Sequence, residues 1–310
     1  MNTTTLNEYM AQQGYDAPPT TRPGCIIRFN APNKPKGNKS AWIRVFEDGG
    51  AIFGNWITGE EHVYHPNGLN ELDKAQRAEA YHQMQAERAR YQADLNAQYQ
   101  RMANKAAGIW EHLQPAPDQH PYLVNKQIQA HGALFMPIFE GYLRDCLIIP
   151  VYGELQGGNV ALINLQAIDP SGTKRPLKGG KFKGGFYPIE WRGNDVPIVI
   201  CEGFSTGATL AEHYTQTASV ICAFNASNLI TVAKCLRQRY PENEFYIAAD
   251  NDRLNEINTG LEQAKQAARV SGAHILLPEF KEGEQGTDWN DYHRNQQQTN
   301  QNRQASEVSA

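Results

Sequence analysis

Four acidic side chains sit where a sheet could bring them to one edge. Glu202 closes the apolar run 196–203 (VPIVICEG), Asp250 and Asp252 follow the run 244–250 (EFYIAAD), and Asp288 follows the run 273–279 (AHILLPE). Ligands of open parallel α/β sheets bind at the carboxyl ends of the strands. Carboxylates gathered there repel one another unless a cation neutralises them. A set of hard oxygens with no His or Cys beside it selects Mg²⁺ or Mn²⁺ over zinc. One acid at a strand end is as often a helix cap, so the recurrence of a Glu and an Asp-x-Asp carries the argument. For Asp288 and Asp291, in TDWND, capping and turn roles stand beside metal ligation.

Two clusters of cations accompany the acids. Lys174, Arg175, Lys178, Lys181 and Lys183 lie in SGTKRPLKGGKFKGG with no acid between them. The glycines permit close backbone approach, so the segment suits phosphates of a nucleotide or a template strand. A solvated hairpin loop is the plainer alternative. Near the N-terminus Lys34, Lys36, Lys39 and Arg44 alternate with Trp42, Phe46, Phe53 and Trp56. Such interleaving can stack single-stranded DNA; Phe46 and Phe53 read as core, while Trp42 and Trp56 stay open to either role. Ser205 and Thr206 follow the Glu-Gly turn, and N-capping explains them better than phosphate binding.

The elements that must position these groups follow from periodicity. Four continuous apolar strands (196–203, 218–224, 244–250, 273–279) alternate with amphipathic helices, which predicts a parallel sheet covered on both faces. Upstream, 146–154, 159–169 and 185–190 read as strands separated by Gly157-Gly158 and Ser171-Gly172 turns. The stretch 41–60 alternates β-formers around Asp48-Gly49-Gly50 and predicts a hairpin. Between them, 70–113 is rich in Ala, Gln, Glu and Arg without Pro, and reads as a long, largely solvated helix. The predicted organisation is a small β-rich module (1–69), a helical linker (70–114), a basic α+β subdomain (115–195), an α/β catalytic domain (196–293) and a disordered Gln/Asn-rich tail (294–310).

Composition narrows the function. The 310 residues carry 29 basic against 33 acidic side chains, a formal net charge of −4, so a general basic coat for nucleic acid is excluded and positive charge must be local. No long apolar run and no apolar h-region near the N-terminus are present, which points to the cytoplasm. The five cysteines (25, 146, 201, 222, 235) contain no C-x-x-C pair. They read as reduced thiols, mostly buried, and not as a zinc site.

The order CEGFSTGATLAEH, ICAFNASNL, IAADND, GLEQAKQAA and TDWNDYH resembles the Toprim domain, in particular that of phage- and plasmid-type primases. The segments HPYLVNKQIQAHG and LIIPVYGE to GGFYPI are similar to the basic subdomain that precedes Toprim in primase cores. The resemblance implies metal-binding and catalytic roles for Glu202, Asp250 and Asp252, with Asp288 as a further ligand, and nucleotide or template binding by the Lys174–Lys183 segment. It departs from many such primases in having no zinc-binding cysteines; the module with Lys34, Lys36, Lys39, Trp42 and Trp56 occupies that place. It implies RNA primer synthesis on single-stranded DNA from ribonucleoside triphosphates. No G-x-x-x-x-G-K-[ST] string occurs, so a helicase partner is expected to be a separate protein. A Toprim nuclease and a non-catalytic single-strand-binding replication accessory are the competing readings.

Overall fold

The computed structural model describes residues 4–18, 21–34, 37, 39–55, 58–66, 74–155, 158–253, 255 and 258–308, without the side chains of 74–88, 91, 302, 303 and 305–308. The chain divides into two units, 1–95 and 96–310. The division falls inside the long helix, which the sequence placed as a linker over 70–114.

In the first unit, helix α1 (Leu6–Gln12) starts with a capping box in which Thr5 and Glu8 satisfy each other's backbone N–H. Strands β1 (Ile26–Phe29), β2 (Ala41–Val45), β3 (Ala51–Asn55) and β4 (Glu61–Tyr64) form an antiparallel meander in that order. The predicted hairpin is β2–β3: Gly49 takes φ +81°, and the Asp48 carboxylate accepts from Gly50 N–H. Period-two alternation sends Ile43 and Phe53 to one face, with Met10, Tyr15 and Phe29, and Trp42, Phe46 and Ile52 to the other. Phe46 and Phe53 are core, as expected. So is Trp42, only 7% exposed, which corrects its candidacy as a stacking platform: an indole packed in a second apolar cluster offers no face to a base. Lys34 and Lys39 are exposed. Lys36 and Trp56 lie outside the described residues.

Helix α2 (Lys74–Trp110) runs into the second unit. One face of its last turns is withdrawn from solvent: Ala103 and Ala106 are buried, and Ala106 packs among Phe139, Cys146, Ile148, Leu165 and Leu177. Alanines there let the helix approach the sheet closely. After α2 come β5 (Gln114–Pro115), α3 (Pro121–Lys126), β6 (Leu134–Phe139), β7 (Leu143–Glu154), β8 (Val160–Ile168) and β9 (Lys174–Pro176), the strands forming one antiparallel sheet in chain order. The rest alternates strand and helix: β10 (Tyr187–Glu190), β11 (Ile198–Cys201), α4 (Phe204–His213), β12 (Ser219–Cys222), α5 (Ala226–Arg239), β13 (Phe245–Ala248), α6 (Thr259–Ser271), β14 (His274–Leu276) and α7 (Trp289–Val308).

The sheet of the C-terminal half has the order β10-β12-β11-β13-β14. The four predicted strands β11–β14 are parallel neighbours, and β10 is an antiparallel edge on β12. Alternation again sets the layers: Ile198 and Ile200 face Val232, Leu236 and Ala264 of α5 and α6, while Val199 and Cys201 face Phe204 and Leu210 of α4. The second of these cores also takes in Leu147, Ile149 and Val151 of β7. The two sheets therefore share one interior, and β10, which lies upstream of the predicted boundary at 195, is hydrogen-bonded into the downstream sheet.

Two further expectations change. The tail from 294 is helical to Val308 instead of disordered, because no Gly or Pro follows Gly286 and Gln, Arg, Ala and Glu favour helix. Helix α4 is capped by Gly203, with no side-chain cap bond, while Ser205 and Thr206 are buried within its first turn. Among the described residues no helix is long and apolar enough to cross a membrane. All five cysteines are free; 146, 201 and 222 are buried, and Cys25 is exposed.

Candidate active site

Two neighbouring parallel strands and the start of a helix deliver the acids. Glu202 leaves β11 directly, and its carboxylate accepts the Ala226 N–H at the start of α5, where a helix N-terminus favours negative charge. Asp250 and Asp252 leave β13. The Asp252 Oδ2 accepts from Gly260 N–H at 3.1 Å in the first turn of α6. Gly260 is needed there: a Cβ would stand 2.8 Å from the Asp250 carbonyl oxygen. Asp288 precedes α7 and caps it, its Oδ1 accepting from Asp291 N–H at 2.8 Å while Asp291 accepts from Thr287 N–H. Its Oδ2 faces the Lys126 ammonium at 3.9 Å.

The acids feel one another strongly. Burial pushes the Asp250 carboxyl up to about 8, with Glu202, Asp288 and Asp252 adding repulsion. Burial also raises Glu202, against the pull of the Ala226 N–H and of Lys174, and raises Asp288, against the pull of Lys126. Asp250 Oδ1 is buried with no hydrogen-bond partner. A buried, unpartnered carboxylate oxygen among like charges is costly unless a cation or a proton meets it.

Two lysines are the cations turned toward the cluster. Lys174 on β9 has its Nζ 3.6 Å from where a Gly203 Cβ would be. Burial alone would lower its pKa, but Tyr122, Cys222, Asp288 and Glu202 around it outweigh this and hold it up. Lys126, at the end of α3, lies 3.7 Å from Asp291 and was not foreseen. The rest of the basic segment goes elsewhere. Arg175 and Lys178 are exposed, Lys181 donates to the Glu154 carbonyl, and Lys181 and Lys183 line a cavity beside α5. The five cations predicted as one phosphate surface thus split, with Lys174 alone at the carboxylates.

Several positioning residues escaped the sequence reading. Arg253 forks onto the carbonyls of Gly286 (2.7 Å) and Glu284 (2.5 Å) and stacks on Phe280 at 4.1 Å. With Asn251, which donates from its backbone to Thr287 and from its side chain to Pro278, it ties the Asp250–Asp252 turn to the segment leading to Asp288. Asn258 caps α6 and also accepts from Asp252 N–H. Asn228 links α5 to the basic segment: its side chain donates to Gly185 and Ala223 carbonyls and accepts from Gly184 N–H. Between them Phe224 takes φ +71°, an unusual conformation for a bulky residue. The signal available for Asn258 was Asn-Thr-Gly before a helical run; Arg253 and Asn228 left none, since their partners are backbone carbonyls far along the chain.

Among the described residues no three His, Cys, Asp or Glu side chains converge as a ready metal-ligand set. The site still fits a hard divalent ion, because Asp250 offers a free buried oxygen and Mg²⁺ is commonly held by one or two carboxylates, with water and substrate phosphates completing its shell.

Comparison with known proteins places the chain among relatives. Residues 197–298 match the Toprim domain family, and this part of the chain is a Toprim domain. The chain is 28% identical over 268 residues to a DNA primase TraC of Escherichia coli, covering 83% of this chain and 24% of that protein. A second E. coli DNA primase TraC is 30% identical over 239 residues, 73% of this chain and 15% of its own length. The chain thus spans a quarter or less of these relatives. The crystal structure of the primase fragment of the bacteriophage T7 primase-helicase protein is similar over 57% of this chain and 70% of its own, at 16% identity and a TM-score of 0.42. The resemblance to Toprim primases of the phage and plasmid type therefore holds.

Proposed function

We propose that this chain is the catalytic part of a DNA primase, making short RNA primers on single-stranded DNA in plasmid- or phage-type replication or conjugation. The observation that carries the reading is the unpartnered buried Asp250 oxygen inside a carboxylate cluster that also feels the Lys174 ammonium. The likeness to the two TraC primases extends well beyond the Toprim domain, which favours a primase over a Toprim nuclease.

In the proposed reaction a primer 3′-oxygen bonds to the α-phosphorus of a ribonucleoside triphosphate, and the bond from that phosphorus to the bridging oxygen of pyrophosphate breaks. Asp250 and Asp252 would hold Mg²⁺ or Mn²⁺, with Glu202 reaching it through water, and the ion would neutralise triphosphate charge when bound. Lys174 would bind a phosphate oxygen. Glu202, raised by burial, accepts the 3′-hydroxyl proton. Asp288 holds the start of α7 and keeps Lys126 in place. Exposed Lys34 and Lys39 suit contact with template phosphates. The substrates would be single-stranded DNA and ribonucleotides, the helicase a separate partner, and the compartment the cytoplasm.

The test is incubation with single-stranded DNA, labelled ribonucleotides and Mg²⁺, beside Asp250→Ala. Short labelled oligomers from the wild type alone are expected. Cleaved DNA without incorporation would replace the reading with a nuclease; DNA binding untouched by the substitution, with neither product, would replace it with an accessory role.

A further inference from the structure

A cavity of about 330 Å³ opens beside α5 in the second unit. It lies within the size range of small-molecule sites. Thr231, Cys235 and Arg239 present one face of the helix to it at intervals of four residues, and the rings of Tyr99 and Phe186 form further walls. Its charged groups are Lys181, Lys183, Arg239 and Glu154, three cations against one carboxylate.

We propose that this cavity is a second binding site, for a nucleoside phosphate, separate from the carboxylate cluster. Aromatic and aliphatic walls suit the faces of a base. The Glu154 carboxylate and the Thr231 hydroxyl can meet its amine or the ribose hydroxyls, and Lys183 and Arg239, both exposed at the rim, suit phosphate. A fatty acid would leave Glu154 and Thr231 without partners, and a bare polyphosphate would waste the rings.

Position separates the two sites. Glu202 accepts from Ala226, the first residue of α5. At 1.5 Å per residue, Arg239 lies about 20 Å along the helix from that point. A phosphate on Arg239 cannot be the one that Glu202 and Asp250 act upon. Binding in the cavity also needs none of the acids, so it neither depends on a divalent ion nor stands or falls with the primase reading.

Equilibrium dialysis of the full chain against radiolabelled ATP in excess EDTA tests this. One ATP per chain is expected, retained in Asp250→Asn. Arg239→Glu, an exposed change that leaves the core intact, should weaken binding at least tenfold, and Thr231→Trp, which fills the cavity, should abolish it while Thr231→Val keeps it. Tripolyphosphate should compete far less well than ATP. Absence of binding in EDTA, binding indifferent to Arg239→Glu, or equal competition by tripolyphosphate would each overturn the proposal.

Discussion

Replacing Asp250 by Asn should make the metal-free protein more stable, although it removes a residue at the heart of the site. Burial and three neighbouring acids hold the Asp250 carboxyl at about 8, against an ordinary 3.8. The unfolded chain releases that proton near its ordinary value. Between the two values the native state holds a proton that the unfolded state has lost, so stability falls as pH rises through this window. One full proton is worth about 1.4 kcal/mol per pH unit, and the whole window would cost about 6 kcal/mol if Asp250 acted alone. Glu202 and Asp288 share the charge, so the loss between pH 5.5 and pH 8 should be about 2–3 kcal/mol. Asn keeps the shape and cannot ionise. Urea unfolding in EDTA at the two pH values reads the difference as a shift in midpoint. The wild type should lose about 2–3 kcal/mol more than the variant over that range, and saturating Mg²⁺ should recover most of the loss in the wild type only. Parallel pH dependences, or a variant less stable than wild type near pH 8, would refute the crowding argument.

Asn228→Ala strips partners from the carbonyls of Gly185 and Ala223 and the N–H of Gly184; calorimetry should show a loss of about 2–4 kcal/mol, and a loss below 1 kcal/mol would mean that water replaces the amide. Arg253→Lys keeps the charge but not the fork onto Gly286 and Glu284; primer synthesis assays should show kcat down about tenfold with template KM unchanged, since the acids are displaced and binding is not. Glu212 is held below the usual range although burial pushes it up, because His131, the Gln129 N–H and His213 outweigh that effect. The stabilisation it gives is present above the ordinary carboxylate value and lost as pH falls through the depressed one. The wild type's advantage over Glu212→Gln in thermal melts should therefore shrink on acidification and be absent at the acid end.

The strand ends were legible because two signals coincide: apolar runs long enough only for buried strands, and acids where those runs stop. That located Glu202, Asp250 and Asp252, and the sheet brings them into mutual influence. Burial on the second face of a small sheet was not legible. Trp42 alternates with Ile43 exactly as an exposed residue would, and only tertiary packing decides between them. Nor did composition reveal that a run of five cations is divided by the turn after β9, since like residues adjacent in sequence can face different neighbours. The tail misled for a related reason: Gln and Asn in quantity suggest a solvated coil, yet Tyr214, Trp289 and Tyr292 lie in mutual ring contact where α7 meets α4.

The antiparallel edge strand has a consequence for the order of synthesis. β10 leaves the ribosome before β11 and β12, yet its partner in the finished sheet is β12, with Tyr187 opposite Cys222. Until that partner emerges, the nascent strand is held by upstream residues, through the reciprocal Tyr152–Phe186 backbone pair and the Tyr187 hydroxyl on the His131 carbonyl. The antiparallel sheet is complete by then and offers β7 as a template. A growing chain would thus set down the edge of its catalytic sheet first and fill inward, so that a pause after residue 190 leaves a strand waiting at the surface with its hydrogen bonds unmade.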